Sequence, residues 1–164
     1  MYATADDFVQ EYGFDEAWQL LRDESELLTA DLLRQALDGV FDPDTTPEEQ
    51  AAALTAAKRL RDVIIRAERF MDGYLRSAVM LPLETDQVEQ TPLTTCCLEL
   101  SRCQLMDDPD NQTDAQKERC KEWKDWLKDV ARGTVKLLEP PASSSGRVRS
   151  GHLPSAYNWG AFGK

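Results

Sequence analysis

With 164 residues the chain is long enough for one domain with its own apolar core, and 41% hydrophobic with 30% charged residues fits a globular protein rather than a disordered or membrane-embedded one. A formal net charge of -11 argues against a DNA-backbone binder, because neutralising phosphates takes clustered Lys and Arg. The opening Met1-Tyr-Ala-Thr-Ala-Asp-Asp lacks the basic start and apolar stretch of a secretory signal, and no run approaches the ~18 apolar residues of a membrane span. The expectation is a protein made and kept in the cytoplasm, without membrane contact.

Thr4 followed by Asp7, then Phe8, Val9 and Tyr12 before Gly13, predicts a short capped helix over 5–12. Phe14, Ala17, Trp18 and Leu21 repeat at helical spacing, and Thr29 is placed to cap a third segment carrying Leu32, Leu33, Ala36 and Leu37. After the turn-rich Asp42-Pro-Asp-Thr-Thr-Pro, Thr46 as N-cap, Pro47 at the first helical position and Glu49 as capping-box partner open a long helix. Leu54, Ala57, Leu60, Val63, Ile64, Ala67, Phe70, Met71, Tyr74 and Leu75 carry it to about residue 78, a span of about 48 Å at 1.5 Å per residue. Its other surface, with Lys58, Arg59, Arg61, Asp62, Arg66, Glu68 and Arg69, reads as a solvated face of mixed charge.

Pro82 ends that element, and Leu83 to Gln90 read as an acidic loop. Thr91-Pro92 then opens a helix with Leu93, Cys96, Cys97, Leu100, Cys103 and Gln104 on one side, closed by Asp108-Pro-Asp-Asn. Thr113 with Gln116 forms another capping box, and Cys120, Trp123, Leu127, Val130 and Ala131 make a stripe that stops at Gly133. Thr134-Val-Lys-Leu-Leu alternates like a short β segment, whose lone edge invites a neighbouring chain. Val135 and Leu137 are therefore candidate subunit-interface residues. Together the elements predict an all-α fold, a small helical bundle with one long helix, that short β segment near 134–138 and an extended C-terminal arm. Residues 1–139 form the helical domain, and 140–164 the linker and docking arm.

The four cysteines, Cys96, Cys97, Cys103 and Cys120, lie in helical patterns with no CxxC pair, so small buried thiols are expected rather than a disulfide framework or zinc knuckle. The only histidine, His152, sits in the tail, where nothing holds it against a nucleophile or carboxylate. No GxxxxGK[ST], GxGxxG or HExxH occurs, and Asp107-Asp-Pro-Asp-Asn lacks the glycine and terminal Glu of a calcium loop. The expectation is a non-enzyme with no metal and no cofactor. Of the four tryptophans, Trp18 and Trp123 fall on apolar stripes and read as core. Trp126 lies beside a stripe and either widens the buried face or stands at a subunit interface.

The tail differs from the body. Pro140-Pro-Ala-Ser-Ser-Ser-Gly is linker composition, and beyond it Arg147, Arg149 and Lys164 are the only ionised groups. Taking their +3 from the -11 of the whole chain leaves -14 on residues 1–139. Tyr157, Trp159 and Phe162 place three aromatics within six residues beside Gly160 and Gly163, a segment suited to a partner's groove or to folding back on its own domain.

Three motifs occur in a familiar order: Met1-Tyr-Ala-Thr-Ala-Asp-Asp with Gly13, then Met71-Asp-Gly-Tyr-Leu ending in Leu81-Pro-Leu, then Trp126-Leu-Lys-Asp-Val-Ala-Arg-Gly-Thr-Val-Lys-Leu. The chain thereby resembles the Mu-like prophage head-tail connector family over residues 1–22 and 60–138, with the stretch from Asp38 to Lys58 standing as an insertion. The resemblance implies a non-catalytic adaptor that forms a ring with itself, a dodecamer, beneath the portal protein and seats the next neck or tail-completion protein. DNA would pass through without specific binding. The location implied is the host cytoplasm during assembly and then the virion neck. By architecture rather than by matching motif, Arg147 to Lys164 would be the arm that reaches the portal, with Arg147 and Arg149 as polar partners and Tyr157, Trp159 and Phe162 as anchors. The alternative from the residues alone is an acidic DNA mimic that fills the basic cleft of another protein.

Overall fold

The computed structural model describes residues 1–21, 26–106 and 113–138. Among them the chain forms seven helices and no strand: α1 (Ala5–Tyr12), α2 (Phe14–Leu21), α3 (Ala30–Asp38), α4 (Pro47–Leu75), α5 (Thr85–Glu89), α6 (Leu93–Leu105) and α7 (Asp114–Ala131). This is the all-α bundle with one long helix that the periodicity predicts.

Local chemistry starts these helices. Thr4 Oγ1 accepts from the Asp7 N–H at 3.1 Å while the Thr4 N–H donates to the Asp7 carboxylate at 2.7 Å, closing a capping box at α1. Thr46 with Glu49 does the same at α4, with Pro47 in its first turn, and Thr113 with Gln116 at α7. Gly13, at φ +82, lets the chain leave α1 and enter α2 within one residue.

α4 is the spine. Its 29 residues span about 43 Å, and Ala53, Ala56, Ala57, Leu60, Val63, Ile64, Ala67, Met71 and Leu75 form a continuous buried stripe. α1, α2, α3, α6 and α7 all pack against it. Three details differ from the expected pattern. Leu54 and Phe70 lie off the stripe and are exposed, and Phe70 instead meets the Tyr74 ring edge-on at 5.2 Å. The helix ends at Leu75 rather than 78, where Ser77 Oγ donates to the Tyr74 carbonyl at 2.8 Å and to the Ala131 carbonyl of α7 at 3.1 Å. The stretch read as an acidic loop contains α5, opened by a capping box between Glu84 and Gln87 and anchored by buried Val88.

Long-range polar contacts complete the packing. Trp18 is half-buried and donates its indole N–H to the Leu28 carbonyl at 2.6 Å. Arg102 of α6 donates to Glu16 of α2 at 2.5 Å, and its guanidinium lies 4.9 Å above the Tyr12 ring. One cysteine expectation is overturned: Cys103 and Cys120 are joined in a disulfide between α6 and α7, while Cys96 and Cys97 are the buried thiols expected. Pairing follows from the helical hairpin, which brings the end of one helix beside the start of the next.

Candidate docking surface

The expected strand at 134–138 is not formed. α7 ends at Ala131 with Arg132 as its C-cap, and Gly133 takes the left-handed region at φ +75. That reversal turns the Thr134 and Val135 N–H groups back onto the Asp129 carbonyl, at 2.9 and 3.2 Å. Donors that an edge strand needs are thereby used to close the helix, and the backbone cannot pair as a ladder there.

The reversal has a different consequence. It lays Val135 and Leu137, both half-buried, along an open groove of about 1030 Å³ between the α4–α5 connection and the end of α7. Val79, Met80 and Leu83 form the opposite apolar wall, with Asp86, Gln87, Arg132 and Lys136 at the polar edges. Met80 is 90% exposed, an unusual position for a large apolar side chain. The sequence signal for this wall was available in Ala78-Val-Met-Leu-Pro-Leu, an apolar run that continues after the helix has ended. The groove lies beside Leu138, the last described residue before the linker and arm.

Trp126 stands one turn from Trp123 on α7, and the two rings meet edge-to-face with centroids 5.6 Å apart. Both are half-buried and packed against the core, as is Trp18, so Trp18 and Trp123 join the core from its edge, on the stripes that pointed to it. Arg147, Arg149, Tyr157, Trp159 and Phe162, the expected docking residues of the arm, lie outside the described residues, as does His152.

The chain's N-terminal end is tied down across the bundle. Tyr2 is buried, its hydroxyl donates to Asp72 Oδ1 at 2.5 Å, and its backbone N–H donates to Glu68. Burial, then the Asp72 carboxylate, hold the Tyr2 hydroxyl well above its ordinary range, so it remains a neutral donor. Burial, then the carboxylate of Glu68, push the Cys97 thiol up to about 12, and burial raises Cys96 as well. Such thiols stay protonated and are poor nucleophiles. Among the described residues no three His, Cys, Asp or Glu side chains are placed to hold a metal ion, and no helix is long and apolar enough to cross a membrane.

These surfaces present an apolar groove and a charged helix face. The chain matches the family model described as "Bacteriophage Mu, Gp36" over residues 2–150. No curated protein and no solved structure matches it. Because the family match spans all but the two extremities of the sequence, the protein belongs to the bacteriophage Mu Gp36 family.

Proposed function

We propose that this protein is a structural, non-catalytic connector subunit of a tailed phage, which assembles with copies of itself as a ring under the portal and joins the DNA-filled head to the neck or tail. Membership of a phage family sets the context. The observation that carries the finer reading is the division of charge, -14 on residues 1–139 against +3 on residues 140–164. A passage for DNA works best if it repels phosphate, and a ring of such bodies lines it with negative potential. The aromatic, basic arm is then free to grip the portal through Tyr157, Trp159 and Phe162, with Arg147 and Arg149 as polar partners. The groove lined by Val135 and Leu137 offers apolar surface for subunit contact at the root of that arm.

Deleting residues 147–164 tests the reading. Helical content by circular dichroism should be unchanged, and attachment to portal-bearing capsids should be lost. Retained attachment would overturn the arm assignment, and electron microscopy of the neck in which this chain forms no ring would overturn the connector assignment. The same acidity supports a second reading as a DNA mimic. Binding to a basic partner that survives removal of the arm and collapses with rising salt would favour it.

A further inference from the structure

α4 has two faces of opposite character. Its inner stripe is buried under the rest of the bundle, and the side turned away from that stripe carries Thr55, Lys58, Asp62, Arg66 and Arg69, three or four residues apart, bordered by Ile65, and all exposed. Residues 55–69 hold five basic side chains against Asp62 and Glu68, a local charge of +3 on a body of -14. Glu68 is turned to the Tyr2 backbone and Asp62 is paired with Lys58 at 2.8 Å. Arg66 and Arg69 make no ion pair with a described residue. Ile65, 41% exposed, borders them at the edge of the stripe.

The complementary surface is on the same chain. Residues 5–21, which form α1 and α2, carry five acidic side chains and no Lys or Arg. Asp7 closes the Thr4 cap and Glu16 pairs with Arg102, which leaves Asp6, Glu11 and Asp15 exposed and without an ion pair to a described residue. Among the described residues no ion pair joins Asp6, Glu11 or Asp15 to Lys58, Arg66 or Arg69 within one copy.

We infer that the outward stripe of α4, with Lys58, Arg66 and Arg69, receives the acidic α1–α2 segment, through its exposed Asp6, Glu11 or Asp15, of a second copy of this chain. Two unlike patches make a head-to-tail contact, which repeats and closes into a ring when the rotation per subunit permits. Nucleic acid fits the stripe less well, since an extended polyanion would run from a stripe where Lys58, Arg66 and Arg69 stand against Asp62 onto a body whose remaining charge opposes it, whereas α1–α2 presents its acids locally. The inference rests on the connector reading for the expectation that copies meet, but it is read in solution, apart from any capsid.

Sedimentation velocity of the full chain over a range of concentrations tests it. Association is expected at low salt and should weaken at least tenfold at high salt. Arg66→Glu/Arg69→Glu should remain monomeric, and so should Asp6→Lys/Glu11→Lys/Asp15→Lys. An equimolar mixture of the two should associate, because each supplies the charge the other's face now needs. Lys124→Glu/Lys128→Glu, a like change of net charge on exposed positions of α7, should associate as the unaltered chain does. Arg66→Gln/Arg69→Gln, which removes charge without reversing it, should weaken association in the same direction and serves if the reversal disturbs the helix. A chain that stays monomeric at every concentration, or a reversed mixture that does not associate, overturns the inference. Retardation of a labelled DNA duplex that Arg66→Glu/Arg69→Glu abolishes would also overturn it and assign the stripe to nucleic acid. Association in solution with no attachment to portal-bearing capsids would sink the connector reading alone.

Discussion

The hydroxyl of Tyr2 donates a 2.5 Å hydrogen bond to the carboxylate of Asp72, seventy positions along the chain, and the Tyr2 backbone N–H donates to Glu68 one turn earlier on α4. This pair fixes the start of the chain to the spine. Tyr2→Phe keeps the ring and removes the donor, leaving the half-buried Asp72 carboxylate short of a partner. Urea unfolding should show a loss of about 1–3 kcal/mol. An unchanged midpoint would mean that water replaces the bond at no cost.

Alkaline pH should destabilise the protein. Tyr2 and Tyr12 are held above their ordinary 10.0, in both by burial first and then by a neighbouring carboxylate, Asp72 for Tyr2 and Glu99 for Tyr12. Cys97 is pushed from 9.0 up to about 12, and Cys96 is raised from the same starting value, both by burial first. For each group the unfolded chain gives up its proton first, so the stability it contributes is complete below about pH 9 and lost as pH rises toward the folded-state values. Thermal unfolding should therefore show a flat Tm up to about pH 8 and a decline above about pH 9. Cys96→Ala/Cys97→Ala should flatten the first part of that decline.

Cys103–Cys120 closes a loop between residues 17 positions apart. On a chain-entropy account, Cys103→Ser or a strong reductant should lower stability by about 3 kcal/mol, with α6 and α7 still helical by circular dichroism. Thiol titration of the unreduced protein should find two groups, both unreactive until the chain unfolds. Four thiols in the folded, unreduced protein would contradict the pairing.

The two faces of α4 should respond differently to truncation. Leu60 is fully buried, and Leu60→Ala should cost about 2–5 kcal/mol in chemical denaturation. Ile65, five residues on and exposed, should tolerate Ile65→Ala within about 0.5 kcal/mol. Similar losses at both positions would mean that the outward stripe is covered.

Helix starts were legible because their causes are local. Thr4 with Asp7, Thr46 with Glu49 and Thr113 with Gln116 sit three residues apart, and each box closes as its spacing implies. α5 escaped notice because its box uses Glu84 and Gln87 in a stretch of polar residues, where one short turn leaves almost no periodicity. Leu54 and Phe70 fall outside the buried stripe for a different reason: they stand at its two margins, where spacing alone leaves the width of the buried face loose. The alternation at Thr134 to Leu138 suggested a strand, and the left-handed turn at Gly133 decided otherwise by drawing two of its donors back to Asp129.

The candidate surfaces divide in the same way. The acidity of residues 1–139, the aromatic and basic arm, the helical class and the length of the spine follow from the order of residues, since composition and 3.6-residue periodicity are properties of the chain itself. The Cys103–Cys120 bridge, the groove that sets Val135 and Leu137 opposite Met80, and the exposure of a basic stripe on the side of α4 turned from the core required the tertiary structure. Each depends on which helix faces which, and that is decided by packing between segments distant in sequence, where no local spacing carries the information.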